Sequence, residues 1–130
     1  MDRQLVSSGA AFEERVGYSR AVRVGNQVWV AGTAPIMPAD ADPPPGAYEQ
    51  AQVCLGIIGQ ALAEAGASLD DVVRTRIFVT DIGQWEAVGR AHGETFATIR
   101  PVCTMVEVAK LIAPEILVEI EADAIIGAGA

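Results

Sequence analysis

Basic residues are scarce in this chain. Lys and Arg total nine against seventeen Asp and Glu, for a formal net charge of −8. A nucleic-acid binder needs clustered cations to displace phosphate counterions, and an anionic membrane surface makes the same demand. The basic residues here are scattered, which argues against both partners. Cysteine is also sparse. Cys54 and Cys103 are far apart and fit neither a metal-ligand spacing nor a CxxC pair, so the expectation is two buried free thiols in a reducing compartment. No apolar run approaches spanning length, and the start, MDRQLVSSGAAFEERVG, has no apolar signal core, so the protein is expected in the cytoplasm. Glycine-rich phosphate loops, HExxH, GxSxG and EF-hand patterns are all missing, and no metal or cofactor is expected.

What is present is a chain of 130 residues, 51% hydrophobic, enough for one domain with a proper core over residues 1–130. The clearest pattern lies near its end. Ile116, Val118, Ile120, Ala122 and Ala124 alternate with Leu117, Glu119, Glu121 and Asp123, as a strand with one covered face requires. Before it, Val102, Thr104, Val106 and Val108 alternate with Cys103, Met105, Glu107 and Ala109, and the first set is assigned to the covered face.

Earlier in the chain, residues 3–8 predict a short edge strand and Gly9–Gly17 a loop ending at Tyr18. Ser19–Val24 and Gln27–Gly32 flank a Gly25-Asn26 turn, a hairpin signal. Val22, Val24, Val28 and Val30 are assigned to its covered face, and Ala21, Arg23, Trp29 and Ala31 to the other. The proline-rich stretch Ile36–Gly46 reads as a polar loop without regular structure. Ala51, Cys54, Leu55, Ile58, Leu62 and Ala65 form a helical stripe over Ala47–Ala65, closed by Gly66. Ser68–Asp71 is a turn, Val72–Thr80 a strand, and Asp81 caps a second helix, Ile82–Ala97, burying Trp85, Val88, His92 and Phe96. His92 invites a catalytic reading, but its apolar stripe and lack of partners at ligand spacing favour a packed side chain.

The sequence order β-β-β-α-β-α-β-β predicts an α+β fold: a six-stranded mixed sheet with two helices on one face. The other face then exposes Trp29, Phe78, Met105 and Leu117 among Arg23, Arg74, Arg76, Glu107, Glu119 and Glu121. An apolar patch of that kind usually marks an interface, and self-association is the expectation.

The segments VGNQVWVAGTAP, EAGASLDDVVRTRIFVTD, RPVCTMVEVAKL and ILVEIEADA, spanning Tyr18 to Ile125, resemble the YjgF-type reactive-intermediate deaminase (Rid) superfamily, also called endoribonuclease L-PSP. The resemblance implies a chorismate-mutase-like fold and a homotrimer with small-carboxylate clefts between subunits. Members with the complete site hydrolyse 2-imino acids to 2-keto acids and ammonia. Tyr18 matches the family tyrosine, Gly32 the glycine and Glu119 the last-strand glutamate, which helps place the hydrolytic water. The family serine becomes Ala31. The carboxylate-gripping arginine becomes Cys103, in the order Pro101-Val102-Cys103-Thr104. The resemblance thus implies Tyr18 and Glu119 as acid–base groups, with Tyr18, Ala31, Gly32, Cys103, Thr104 and Glu119 lining a small-molecule site. Its clamp is missing unless Arg15, Arg20 or Arg100 replaces it. Three readings remain open: an imine- or enamine-directed hydrolase with weak 2-imino acid activity, a non-catalytic metabolite-binding module, and the old ribonuclease label. The last suits an acidic chain worst.

Overall fold

The computed structural model describes residues 2–129. Six strands, β1 (Arg3–Val6), β2 (Ala21–Val24), β3 (Gln27–Thr33), β4 (Val72–Val79), β5 (Val102–Glu107) and β6 (Val118–Ile125), form one sheet in the spatial order β1-β2-β3-β6-β4-β5. β4 and β5 are parallel and every other neighbouring pair is antiparallel. Helices α2 (Ala47–Glu64) and α3 (Trp85–Phe96) cover one face, as expected for the α+β architecture. The stripe predicted for α2 is buried in full, and Gly66 follows it in the left-handed conformation, φ 86°. β6 lies at the centre, with Val118, Ile120, Ala122 and Ala124 buried under α2.

Gly9–Gly17 is not a plain loop. It contains a short helix, α1 (Ala11–Val16), closed by Gly17 at φ 89°, whose N–H reaches the Glu13 carbonyl. The Ile36–Gly46 loop carries one 3-10 turn at Pro38–Asp40. Asp81 does cap, but it caps a 3-10 turn at Ile82–Gln84, accepting from the Gly83 N–H. α3 therefore begins at Trp85, which faces outward and is 56% exposed rather than buried.

Two strands have the opposite phase to the one their valines suggest. The two-residue turn pairs Val24 with Gln27 and Arg23 with Val28, and directly opposed residues share a face. Ala21 and Arg23 thus lie on the helix-covered side, where Arg23 Nη1 donates to the Ala65 carbonyl at 2.8 Å and closes the end of α2. Val22 and Val24 lie on the open side. In β5, Cys103, Met105 and Glu107 pair with Thr75, Ile77 and Val79 and share the covered side, while Val102, Thr104 and Val106 share the open side with Arg74, Arg76 and Phe78. Met105 packs against the core, and Glu107 accepts from the Ile82 N–H at 3.0 Å.

The open face still carries exposed apolar groups, Trp29 at 43%, Val102 at 57% and Val106 at 42%. Its charges pair within the sheet: Arg76 Nη1 lies 3.2 Å from Glu121 and 3.6 Å from Asp123.

Candidate functional site

Gly32 and Glu119, far apart in sequence, meet at one end of the sheet. The register between β3 and β6 breaks between Val30 and Thr33, a bulge that turns Gly32 towards β6. A Cβ on Gly32 would lie 2.6 Å from Glu119 Oε2, so the carboxylate rests against the glycine in space a side chain would fill. Glu119 is half-buried, and among the described residues no hydrogen bond or ion pair engages its carboxylate. Burial pushes its carboxyl above the ordinary glutamate range; the Arg20 guanidinium opposes that rise and the Glu121 charge adds to it. A carboxylate so raised and unpartnered holds and returns a proton more readily than an ordinary glutamate.

Tyr18 follows the left-handed Gly17, with its N–H bonded to the Glu13 carbonyl at 2.9 Å. Its ring borders a groove of about 910 Å³ on the open face, lined also by Glu13, Trp29, Ala31, Arg76 and Glu121. Ala31 adds only a methyl group to that wall, where a serine would have offered a hydroxyl.

Cys103 and Thr104 are not brought to this group. They sit on edge strand β5, three strands from β3, which at 4.7–4.9 Å per strand is about 14 Å across the sheet. They also point to opposite faces, since Cys103 pairs with Thr75 and Thr104 with Arg76. Cys103 is exposed, contrary to the buried thiol expected, because among the described residues no strand lies beyond β5 to cover it. Cys54 is the buried thiol. Desolvation first, and then the charge of Glu119, push its pKa up to about 12, and its Sγ contacts the Val118 carbonyl at 3.8 Å.

His92 is a packed side chain. Its Nε2 is 2.8 Å from Thr75 Oγ1, its ring lies 4.7 Å from that of Phe96, and burial holds its pKa below the ordinary value. Among the described residues no group of three His, Cys, Asp or Glu side chains could hold a metal ion, and no helix is long and apolar enough to cross a membrane.

One member of the site escapes the sequence pattern. Arg20 is buried between Tyr18 and Gly32, with its Cζ 5.6 Å from the Tyr18 ring centre and its Nη1 bonded to the Gly32 carbonyl at 3.1 Å. Its only advance signal is chemical: it is one of three arginines near enough in sequence to the matched residues to stand in for the missing clamp.

Comparison with known proteins agrees with this fold. The family Endoribonuclease L-PSP matches residues 8–126. The crystal structure of Rv2704 from Mycobacterium tuberculosis, a member of the YjgF/YER057c/UK114 family, superposes with a TM-score of 0.89 at 53% identity, covering 96% of this chain and 100% of that one. The Streptomyces coelicolor protein SCO2049 is 39% identical over 127 residues, 95% of this chain and 92% of its own. TdcF of Escherichia coli, a candidate reactive intermediate deaminase by name, is 26% identical over 111 residues, 83% of this chain and 85% of its own. With the Gly32–Glu119 junction and the six-stranded sheet, these matches establish that the chain belongs to the YjgF-type Rid family, the endoribonuclease L-PSP proteins.

Proposed function

We propose that this protein is a homotrimer whose clefts between subunits bind and act on a small imine-, enamine- or carboxylate-type metabolite, with Glu119 and Tyr18 as the acid–base pair. Family membership supports the coarser statement, a small-metabolite-binding or deaminase-family protein. The observation that carries the finer one is the unpartnered, half-buried Glu119 carboxylate lying against Gly32. The trimer is supported by the exposed Trp29, Val102 and Val106 on the open face. It is supported also by the separation of Cys103 and Thr104 from Tyr18 and Gly32, which a neighbouring subunit would bridge.

The activity on simple 2-imino acids is weak. A guanidinium offers a carboxylate two parallel charged donors, and the thiol of Cys103 offers none. Removing one member of a buried charged pair costs about 2–5 kcal/mol, or roughly 30-fold to several thousand-fold. The test generates 2-iminopropanoate and 2-iminobutanoate in situ with an amino-acid oxidase and follows keto-acid release against semicarbazide trapping. Little acceleration by the wild type and a gain in Cys103→Arg support the reading. Rapid wild-type hydrolysis, at the rate of a relative with the complete site, refutes it.

The second reading, a binding module without turnover, is favoured by the joint loss of the serine at Ala31 and the arginine at Cys103. It predicts saturable binding of small keto acids with no gain in Cys103→Arg.

A further inference from the structure

A buried arginine needs a reason. Arg20 is 6% exposed, and a charge that deep is tolerated only when its donors are occupied. Two of its acceptors come from the bulge in β3. A bulge leaves main-chain carbonyls without partners across the sheet. Thr33 Oγ1 donates to the Ala31 carbonyl at 2.7 Å, and Arg20 Nη1 takes the Gly32 carbonyl at 3.1 Å and Thr33 Oγ1 at 3.2 Å. The two side chains together close the irregular turn of chain that sets Gly32 against Glu119. On its other side the guanidinium lies by the Tyr18 ring.

The remaining partner is incomplete. Arg20 Nε is buried and has no hydrogen-bond acceptor among the described residues, and Glu13 Oε2 stands 3.8 Å away. Glu13 cannot close that gap freely. Its carboxylate is already held by the Ser7 hydroxyl at 3.1 Å, the Ser8 N–H at 3.1 Å and the Ser8 hydroxyl. Arg20 is therefore committed to Gly32 and Thr33 and only loosely to Glu13.

We propose that Arg20 is the positioning residue of this site: its guanidinium clamps the bulge that holds Gly32 against Glu119, supports the Tyr18 ring, and supplies the positive charge of the Glu119 environment. The proposal rests on the reading of Tyr18, Gly32 and Glu119 as a ligand site. The charged groups acting on Glu119 are Arg20, just before β2, and Glu121 on β6, and Arg20 is the cation of the two; the Cys54 thiol on α2 feels the Glu119 charge in turn. Glu13 on α1 faces Arg20 in turn. The charge that this chain lacks at Cys103 is thus retained inside the subunit, behind the glycine rather than in front of the ligand.

The test follows the Glu119 side-chain carboxyl by carbon-13 NMR across pH in the full chain, and measures binding of pyruvate and L-serine by calorimetry. Arg20→Gln should raise the Glu119 midpoint. Arg20→Lys keeps the charge without the fork, so its midpoint should stay near the wild-type value while probe affinity falls about tenfold, the scale of one or two positioning hydrogen bonds. An unmoved midpoint in folded Arg20→Gln overturns the proposal. If Arg20→Gln does not fold, Arg20→Lys decides: an unchanged probe affinity in that variant overturns it instead. Midpoints that move as stated, with neither probe binding to the wild type, support the role of Arg20 and remove the ligand reading.

Discussion

Gly32→Ala isolates what the glycine does. Gly32 is absent from the glycines with positive φ, so alanine meets no backbone penalty there, and only space opposes it. The new methyl would lie 2.6 Å from Glu119 Oε2 and 3.2 Å from its Cδ. The oxygen must retreat by about 0.8 Å to reach the 3.4 Å of an ordinary contact. The carboxylate is free of partners and can swing, so the structural cost is that of one displaced rotamer, about 0.5–1.5 kcal/mol. For a domain of this size that lowers Tm by about 2–7 °C. The functional cost is larger, because displacing a reacting group by about 1 Å can cost about 100-fold. A thermal melt and a ligand-affinity or imine-hydrolysis assay on one preparation separate the two effects. A normal affinity, a normal rate and an unchanged Glu119 titration in the variant would refute the claim that Gly32 makes room for Glu119.

Three further outcomes are expected. Val106→Asp puts an unpaired charge into the apolar patch of the open face, which should cost several kcal/mol in a desolvated contact and convert the proposed trimer to monomer in sedimentation. Burial raises Glu119 in the folded protein, so its contribution to stability is fully present below its unfolded pKa of about 4.3 and is lost as pH rises through the folded value. Glu119→Gln should therefore gain on the wild type in denaturant melts as pH rises above about 4, and a constant difference would contradict the burial argument. Ellman's reagent should find one reactive thiol per native chain, Cys103, and the second, Cys54, only after unfolding; two fast thiols would mean that α2 opens readily.

The parts of the fold that were legible in sequence are those where one local rule decides. α2 carries an uninterrupted apolar stripe, and β6 alternates cleanly because one side is core and the other open. β2 has valine at alternate positions and alanine or arginine between them, so hydrophobicity favours the wrong face; the two-residue Gly25-Asn26 turn sets the true phase by pairing Val24 with Gln27. β5 takes its phase from a parallel pairing with β4, set by the connection through α3 and not by its own residues. As an edge strand it is wet on both sides, which removes the alternation that would have marked it. α1 is one short turn between two glycines, and its buried side chain is the polar Glu13, so no stripe announces it. At the site, Tyr18, Gly32 and Glu119 were found by resemblance alone. The role of Arg20 depends on a bulge and a part-buried carbonyl, neither of which has a signature in the residues themselves.

The position of β6 has a consequence for how the chain is made. It is the last strand in sequence and lies between β3 and β4, pairing with both. Until it emerges, β1–β3 and β4–β5 are separate ribbons, each with an unpaired edge where β6 belongs. Such edges recruit strands from other chains, and contacts of long sequence separation form slowly. The nascent domain therefore passes through a stage in which five of the six described strands exist and its sheet is still in two pieces. Because Glu119 rides on β6, the chemistry of the site and the closure of the sheet arrive in the same step, and a ribosome stalled short of residue 118 releases a chain with neither.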